Sequence, residues 1–99
     1  MPARKVSFSP DAVRQFRRLR AAERSRVKQA IKASLAEDDA ATSSKNRVPL
    51  RRPLGSASFE LRVGEIRLFY RVAENEVEVM LIGRKEGNQL FIDDVRFWL

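Results

Sequence analysis

Cysteine and histidine are both absent from this sequence of 99 residues. The first absence excludes a disulfide framework and a thiolate nucleophile, and it suits a reducing cytoplasm. The second excludes the usual zinc sites, the Ser-His and Cys-His nucleophile systems and the commonest general base. Long apolar runs are missing too, as is an early hydrophobic segment, so neither a membrane span nor a secretory signal is expected. Chemistry in this chain falls to carboxylates, hydroxyls, lysine and arginine, and no metal or other cofactor is expected.

What is present is positive charge. Twenty Lys and Arg face thirteen Asp and Glu, a net charge of +7 and a pI near 10.8. A field of that sign attracts phosphate polyanions and acidic proteins, although basic excess also serves plain solubility. The chain end reverses the trend, with Glu86, Asp93 and Asp94 against Arg96, so the positive charge belongs to the body. A hydrophobic share of 43% is ordinary for a globular protein, and the length supports one domain over residues 1–99.

Val6 and Phe8 alternate with polar residues as a short first strand. Ser9, Pro10 and Asp11 follow as a helix start, with Val13, Phe16 and Leu19 at helical spacing as far as about Arg20. Val27, Ile31 and Leu35 mark a second helix, antiparallel to the first. The cations between Arg14 and Lys32 read as a solvated face without a catalytic role. Glu37 to Asn46 lacks apolar periodicity and predicts a loop. Lys45, Arg47, Arg51 and Arg52 then surround Pro49 and Pro53, which predicts a basic irregular arm, either RNA-binding or a tether between helix and sheet.

The clearest pattern runs from Phe59 to Ile82. Phe59, Leu61 and Val63 alternate with Glu60 and Arg62. After Gly64-Glu65, the residues Ile66, Leu68, Tyr70 and Val72 alternate with Arg67, Phe69 and Arg71. A two-residue turn at Gly64 pairs Phe59 with Tyr70, Leu61 with Leu68, and Arg62 with Arg67. A second turn at Glu74-Asn75 pairs Val72 with Val77, Tyr70 with Val79, Leu68 with Leu81, Phe69 with Met80, and Arg67 with Ile82. Arg62 opposite Arg67 is a like-charge pair, unfavourable unless an anion lies above it. In this register Arg84 returns to the same face with Lys85 beside it, which predicts a phosphate-binding cup. The alternative is ordinary salt bridging by Glu60, Glu65 or Glu86. Phe69 and Phe91 are candidates for base stacking or for core packing. The C-terminal Leu90 to Leu99 predicts a short strand and then a short helix, with Trp98 as a packing anchor. The fold class is thus α+β, with two N-terminal antiparallel helices on a mainly antiparallel twisted sheet of four to five strands.

Three runs in order, FSPDAVRQFRRL (Phe8 to Leu19), FELRVGEIRLFYRV (Phe59 to Val72) and VMLIGRKEGNQLFI (Val79 to Ile92), resemble the RelE/ParE toxin superfamily. The resemblance implies the toxin of a type II toxin-antitoxin system, partnered by a cognate antitoxin. RelE-like members are ribosome-dependent mRNA endonucleases, and ParE-like members inhibit DNA gyrase. By position, Arg67 matches the hairpin arginine and Lys85 the basic residue after the fourth strand, with Arg84 adjacent. The catalytic candidates are therefore Arg67, Lys85, Arg84 and Glu60, and the RNA-binding candidates are Arg47, Arg51, Arg52, Arg62, Phe69 and Phe91. Two features depart from the pattern. Ser58 and Glu60 fall where paired lysines stand in RelE-type sites, and Phe91 falls where those enzymes carry a tyrosine. Three outcomes stay open: Glu60 or Glu86 serves as base, the arm at Arg47 to Arg52 compensates, or the domain is a catalytically weak antitoxin-binding module.

Overall fold

Apolar alternation and well-placed caps build most of the chain. The computed structural model describes residues 4–97, and Trp98 and Leu99 lie outside the described residues. In chain order the elements are β1 (Lys5–Phe8), α1 (Pro10–Arg17), α2 (Ala21–Ile31), β2 (Arg47–Leu54), β3 (Ala57–Val63), β4 (Ile66–Val72), β5 (Glu76–Glu86), β6 (Gln89–Ile92) and β7 (Val95–Phe97). A π-helical turn, Lys32–Ala36, continues α2.

The start of α1 follows the sequence expectation. The Ala12 N–H donates to Ser9 Oγ at 3.1 Å, and Pro10 occupies the first turn, where its missing N–H costs nothing. The helix stops at Arg17, earlier than Arg20. α2 opens with the Arg20 N–H donating to the Glu23 carboxylate at 3.1 Å. Each helix packs mainly on the sheet, α1 against β5 and α2 against β3.

Seven strands form one curled sheet, two or three more than the expected four to five, with β2 to β7 side by side in chain order and antiparallel. β1 joins parallel to the first half of β5, from Lys5 opposite Glu76 to Phe8 opposite Val79. β6 takes the second half of that edge, from Arg84 opposite Phe91 to Glu86 opposite Gln89. Side chains close the gap between them. Ser9 Oγ donates to the Met80 carbonyl at 2.7 Å, and the Ile82 N–H donates to Gln15 Oε1 at 2.6 Å.

Two sequence expectations are corrected here. The Arg47 to Pro53 segment is the edge strand β2, because proline is tolerated where one side of the strand needs no donor. The C-terminal end is the β6–β7 hairpin rather than a strand and helix. Asp93 and Asp94 turn it with φ of 53° and 63°, a conformation that aspartate tolerates better than most side chains.

The main core lies between the helices and one sheet face. It gathers Val27 and Leu35 with Leu61, Ile66, Leu68, Tyr70, Val77, Val79 and Ile82. Tyr70 stacks on Phe59 at 5.5 Å and donates its hydroxyl to the Ala40 carbonyl at 2.8 Å, and burial pushes its pKa up to about 12. Curling of the sheet creates a second, smaller cluster on the opposite face, where Ala57, Phe69, Leu90 and Ile92 are buried against Leu50, Leu54, Leu81 and Phe97. No helix among the described residues is long and apolar enough to cross a membrane.

Candidate functional site

The first hairpin has the register that alternation predicts. Phe59 lies opposite Tyr70, Leu61 opposite Leu68, Arg62 opposite Arg67, and Val63 opposite Ile66. Phe59, Leu61 and Val63 therefore face the helices, and Glu60 and Arg62 share the open face with Arg67 and Phe69.

The second hairpin holds its expected register only as far as Tyr70 opposite Val79. A bulge at Met80 then shifts the pairing by one residue, so that Phe69 faces Leu81, Leu68 faces Ile82, Arg67 faces Gly83, and Ile66 faces Arg84. One inserted residue exchanges the faces of everything after it. Arg84 is consequently on the helix side, where it donates to Glu23 Oε2 of α2 at 2.7 Å. That hydrogen bond holds the Glu23 carboxyl below its ordinary pKa. The expected cup of three arginines and a lysine is corrected to Arg62, Arg67 and Lys85 on one face, with Arg84 on the other.

Arg67 has the most unusual environment of this set. It is 9% exposed, and its guanidinium donates to the main-chain carbonyls of Gly64 at 2.6 Å and Ile66 at 3.1 Å. Neither acceptor carries a formal charge, so the cation is anchored without being neutralised. Arg62, across the ladder, donates through Nε to Glu60 Oε1 at 2.7 Å, with the carboxylate side chain 10% and the arginine 48% exposed. Lys85 lies on the same face beyond Gly83 and is partly buried, and its N–H donates to the Glu65 carbonyl of the hairpin turn at 2.7 Å. Gly83 is needed where it stands. A Cβ there would lie 2.7 Å from the Phe91 carbonyl oxygen and 2.8 Å from the Ile92 side chain, so glycine lets β6 close against β5.

Other sequence candidates go elsewhere. Phe69 is 1% exposed on the floor of the small cluster and cannot stack on a base. Phe91 lies opposite Arg84, turned from Arg67, beside a cleft of about 220 Å³ whose lining includes Gln15, Arg18 and Glu86. Arg47 is not part of an exposed arm. It is 6% exposed and donates to the Thr42 and Ser34 carbonyls and to Asp38 at 2.8, 3.2 and 2.8 Å, tying the loop to the end of the π turn. Arg51 and Arg52 are exposed on β2, and Ser58 is exposed on β3. Sequence reasoning missed the Glu23 to Arg84 pair and the need for Gly83. The unbroken apolar run Val79-Met80-Leu81-Ile82 was the available signal, since strict alternation cannot continue through it.

No family model matches the chain, and no curated protein is similar to it. Among solved structures, it is similar to a chain of the toxin-antitoxin complex RelBE2 from Mycobacterium tuberculosis. The identity is 24%, the TM-score is 0.71, and the match covers 86% of this chain and 94% of the other. The likeness is one of fold, and it agrees with the fold implied by the sequence resemblance.

Proposed function

We propose that this chain is the toxin of a toxin-antitoxin pair and cleaves mRNA in the ribosomal A site, in the cytoplasm. One observation carries the reading: Arg67 is a nearly buried guanidinium with only neutral carbonyl acceptors, opposite Arg62 and close to Lys85. Burying a cation without a counterion is costly, and a phosphate oxygen above this face relieves that cost.

In the proposed reaction a ribose 2′-oxygen attacks the adjacent phosphorus while the bond to the 5′-oxygen of the next nucleotide breaks. The products are a 2′,3′-cyclic phosphate and a 5′-hydroxyl. Arg67, Arg62 and Lys85 stabilise the charge that grows on the non-bridging oxygens. Glu60, the carboxylate hydrogen-bonded to Arg62 on this face, takes the 2′-hydroxyl proton, whereas Glu86 belongs to the cleft beside Arg84 and Phe91. Ribosome or solvent returns a proton to the leaving oxygen. Arg51 and Arg52 extend positive charge along β2 for the RNA backbone.

A second reading is favoured by the position of the aromatics. Phe69 is buried and Phe91 is turned away, so the face offers neither ring for base stacking, which suits a toxin that inhibits a protein target such as DNA gyrase. Mapping RNA 5′ ends after induced expression separates the two. The nuclease reading expects new ends within translated codons, lost in Arg67→Ala and reduced in Arg67→Lys. Intact transcripts together with DNA damage and altered supercoiling overturn it in favour of the gyrase reading.

A further inference from the structure

The buried residues of α1 are Ala12 and Gln15, and a glutamine is seldom buried unless its amide is used. Here both ends are used. Gln15 Oε1 accepts the Ile82 N–H of β5 at 2.6 Å, and Gln15 Nε2 donates to Asp93 Oδ2 in the β6–β7 turn at 3.1 Å. The first bond falls where β5 has no strand beside it on that edge. β1 pairs as far as Val79 and β6 starts at Arg84, so the stretch just past the Met80 bulge is held there by Ser9 and Gln15. The second bond reinforces the Arg14 guanidinium, 2.7 and 2.9 Å from the Asp93 oxygens, in holding a turn whose Asp93 and Asp94 have φ of 53° and 63°.

We infer that Gln15 is a positioning residue for the cation site, acting through Gly83 and Lys85 from the other side of the sheet, an assignment that rests on the RNA-cleaving reading. Gln15 fixes the Ile82 N–H; the next residue, Gly83, lies opposite Arg67, and Lys85 follows two residues on, on the same face. Through Asp93 the same amide fixes the far end of β6. That strand places Leu90 opposite Lys85 and lets Phe91 and Ile92 close over Gly83. One side chain thereby sets β5 and β6 against each other where Lys85 stands beside Arg67. Bulges re-aim the side chains beyond them, and a slip of one residue past Met80 would turn Lys85 inward. Arg67 needs no such support, because the carbonyls of its own turn anchor it. A neutral side chain of similar length fills the same space but leaves the Ile82 N–H unmet, so the amide, and not only its volume, is required.

The test exchanges the two partners of the clasp in the full chain. Gln15→Glu keeps an acceptor for Ile82 but sets a second carboxylate against Asp93. Gln15→Glu with Asp93→Asn restores a donor and an acceptor, in reversed order and at the parent total charge. The single variant is expected to lower kcat for mRNA cleavage on programmed ribosomes about ten- to a hundredfold, with KM within about twofold because Arg51 and Arg52 are untouched. The exchange is expected to return kcat to within about threefold of the parent chain. Leu68→Ala, which weakens the fold without touching the clasp, is the control for stability alone. In amide spectra of the isotope-labelled chain, Gly83 and Lys85 are expected to shift in Gln15→Glu and to return in the exchange, while Arg62 on β3 stays. Gln15→Met, which removes both bonds without adding charge, is expected to give the same two shifts. Unmoved Gly83 and Lys85 resonances in both single variants overturn the proposal, as does a loss of kcat that the exchange fails to restore. The amide shifts need no cleavage, so a parent chain that leaves mRNA intact refutes the RNA reading alone, and the shifts then decide the positioning.

Discussion

Arg84 and Arg67 sit on adjacent strands one ladder step apart, yet they illustrate opposite uses of the same side chain. On the helix side Arg84 meets a carboxylate carried by α2. Buried Arg47, also on that side, meets Asp38 and the Ser34 carbonyl. On the open face Arg67 meets only carbonyls. On the covered face a helix supplies the counterion, and on the open face the strands supply carboxylates to Arg62 and Arg71 but not to Arg67. The proposed function accordingly assigns the covered face to the scaffold and Arg67 on the open face to the site.

The largest effect that would sharpen this contrast is on stability. Leu68→Ala removes a fully buried side chain from the covered face and is expected to cost about 2 to 5 kcal/mol in denaturant unfolding. RNA cleavage measured well below the melting temperature is expected to stay within a few-fold of the parent chain. Arg67→Ala is expected to do the reverse, lowering cleavage about 10² to 10³-fold in a ribosome assay, equivalent to about 2.7 to 4 kcal/mol of barrier, with little loss of stability. A matched collapse of both quantities in either variant would break the division between scaffold and site.

Smaller effects test the counterions. Glu23→Ala leaves Arg84 unpaired but 41% exposed, so the stability loss is expected near 1 kcal/mol by calorimetry, with cleavage unchanged. The smallest effect belongs to Asp93, which accepts from Arg14 at 2.7 and 2.9 Å and from Gln15 at 3.1 Å and is held at a pKa of about 2 by the Arg14 hydrogen bonds. Its folded pKa is below the unfolded value, so its stabilisation is complete above about pH 4 and lost as pH falls toward 2. Asp93→Asn is expected to lower Tm by about 2 °C at pH 7 and to match the parent chain near pH 2. A difference that persists at pH 2 would show that the Asp93 charge is not the cause.

Alternation made the covered face legible before the structure. From Phe59 to Val79 one face is uniformly apolar and the other is polar except at Phe69, so register and facing follow together, including Arg62 opposite Arg67. Legibility ended at Val79-Met80-Leu81-Ile82, where every residue is apolar and the sequence cannot locate a bulge. Arg84 was misplaced for that reason alone. β2 was missed because Pro49 and Pro53 mark irregular chain as readily as an edge strand, and β7 because an Asp-Asp turn lacks the glycine that signals a hairpin. Of the site, the cations of the open face were legible. The carbonyl anchoring of Arg67 was not, because it depends on how a side chain folds back over its own turn.

The Met80 bulge also sets how this molecule tolerates change in length. Its two flanks run half a pleat out of phase, so residue count along β5, more than residue identity, decides which cations look outward. Deleting Met80 itself would only straighten the strand, with Phe69 still opposite Leu81 and Arg84 still opposite Ile66, whereas deleting Gly83 would put Arg84 opposite Arg67, send Lys85 inward and leave no glycine to make room for β6. A frame of this kind forgives the loss of its one extra residue and punishes a deletion that carries the flank beyond it out of phase.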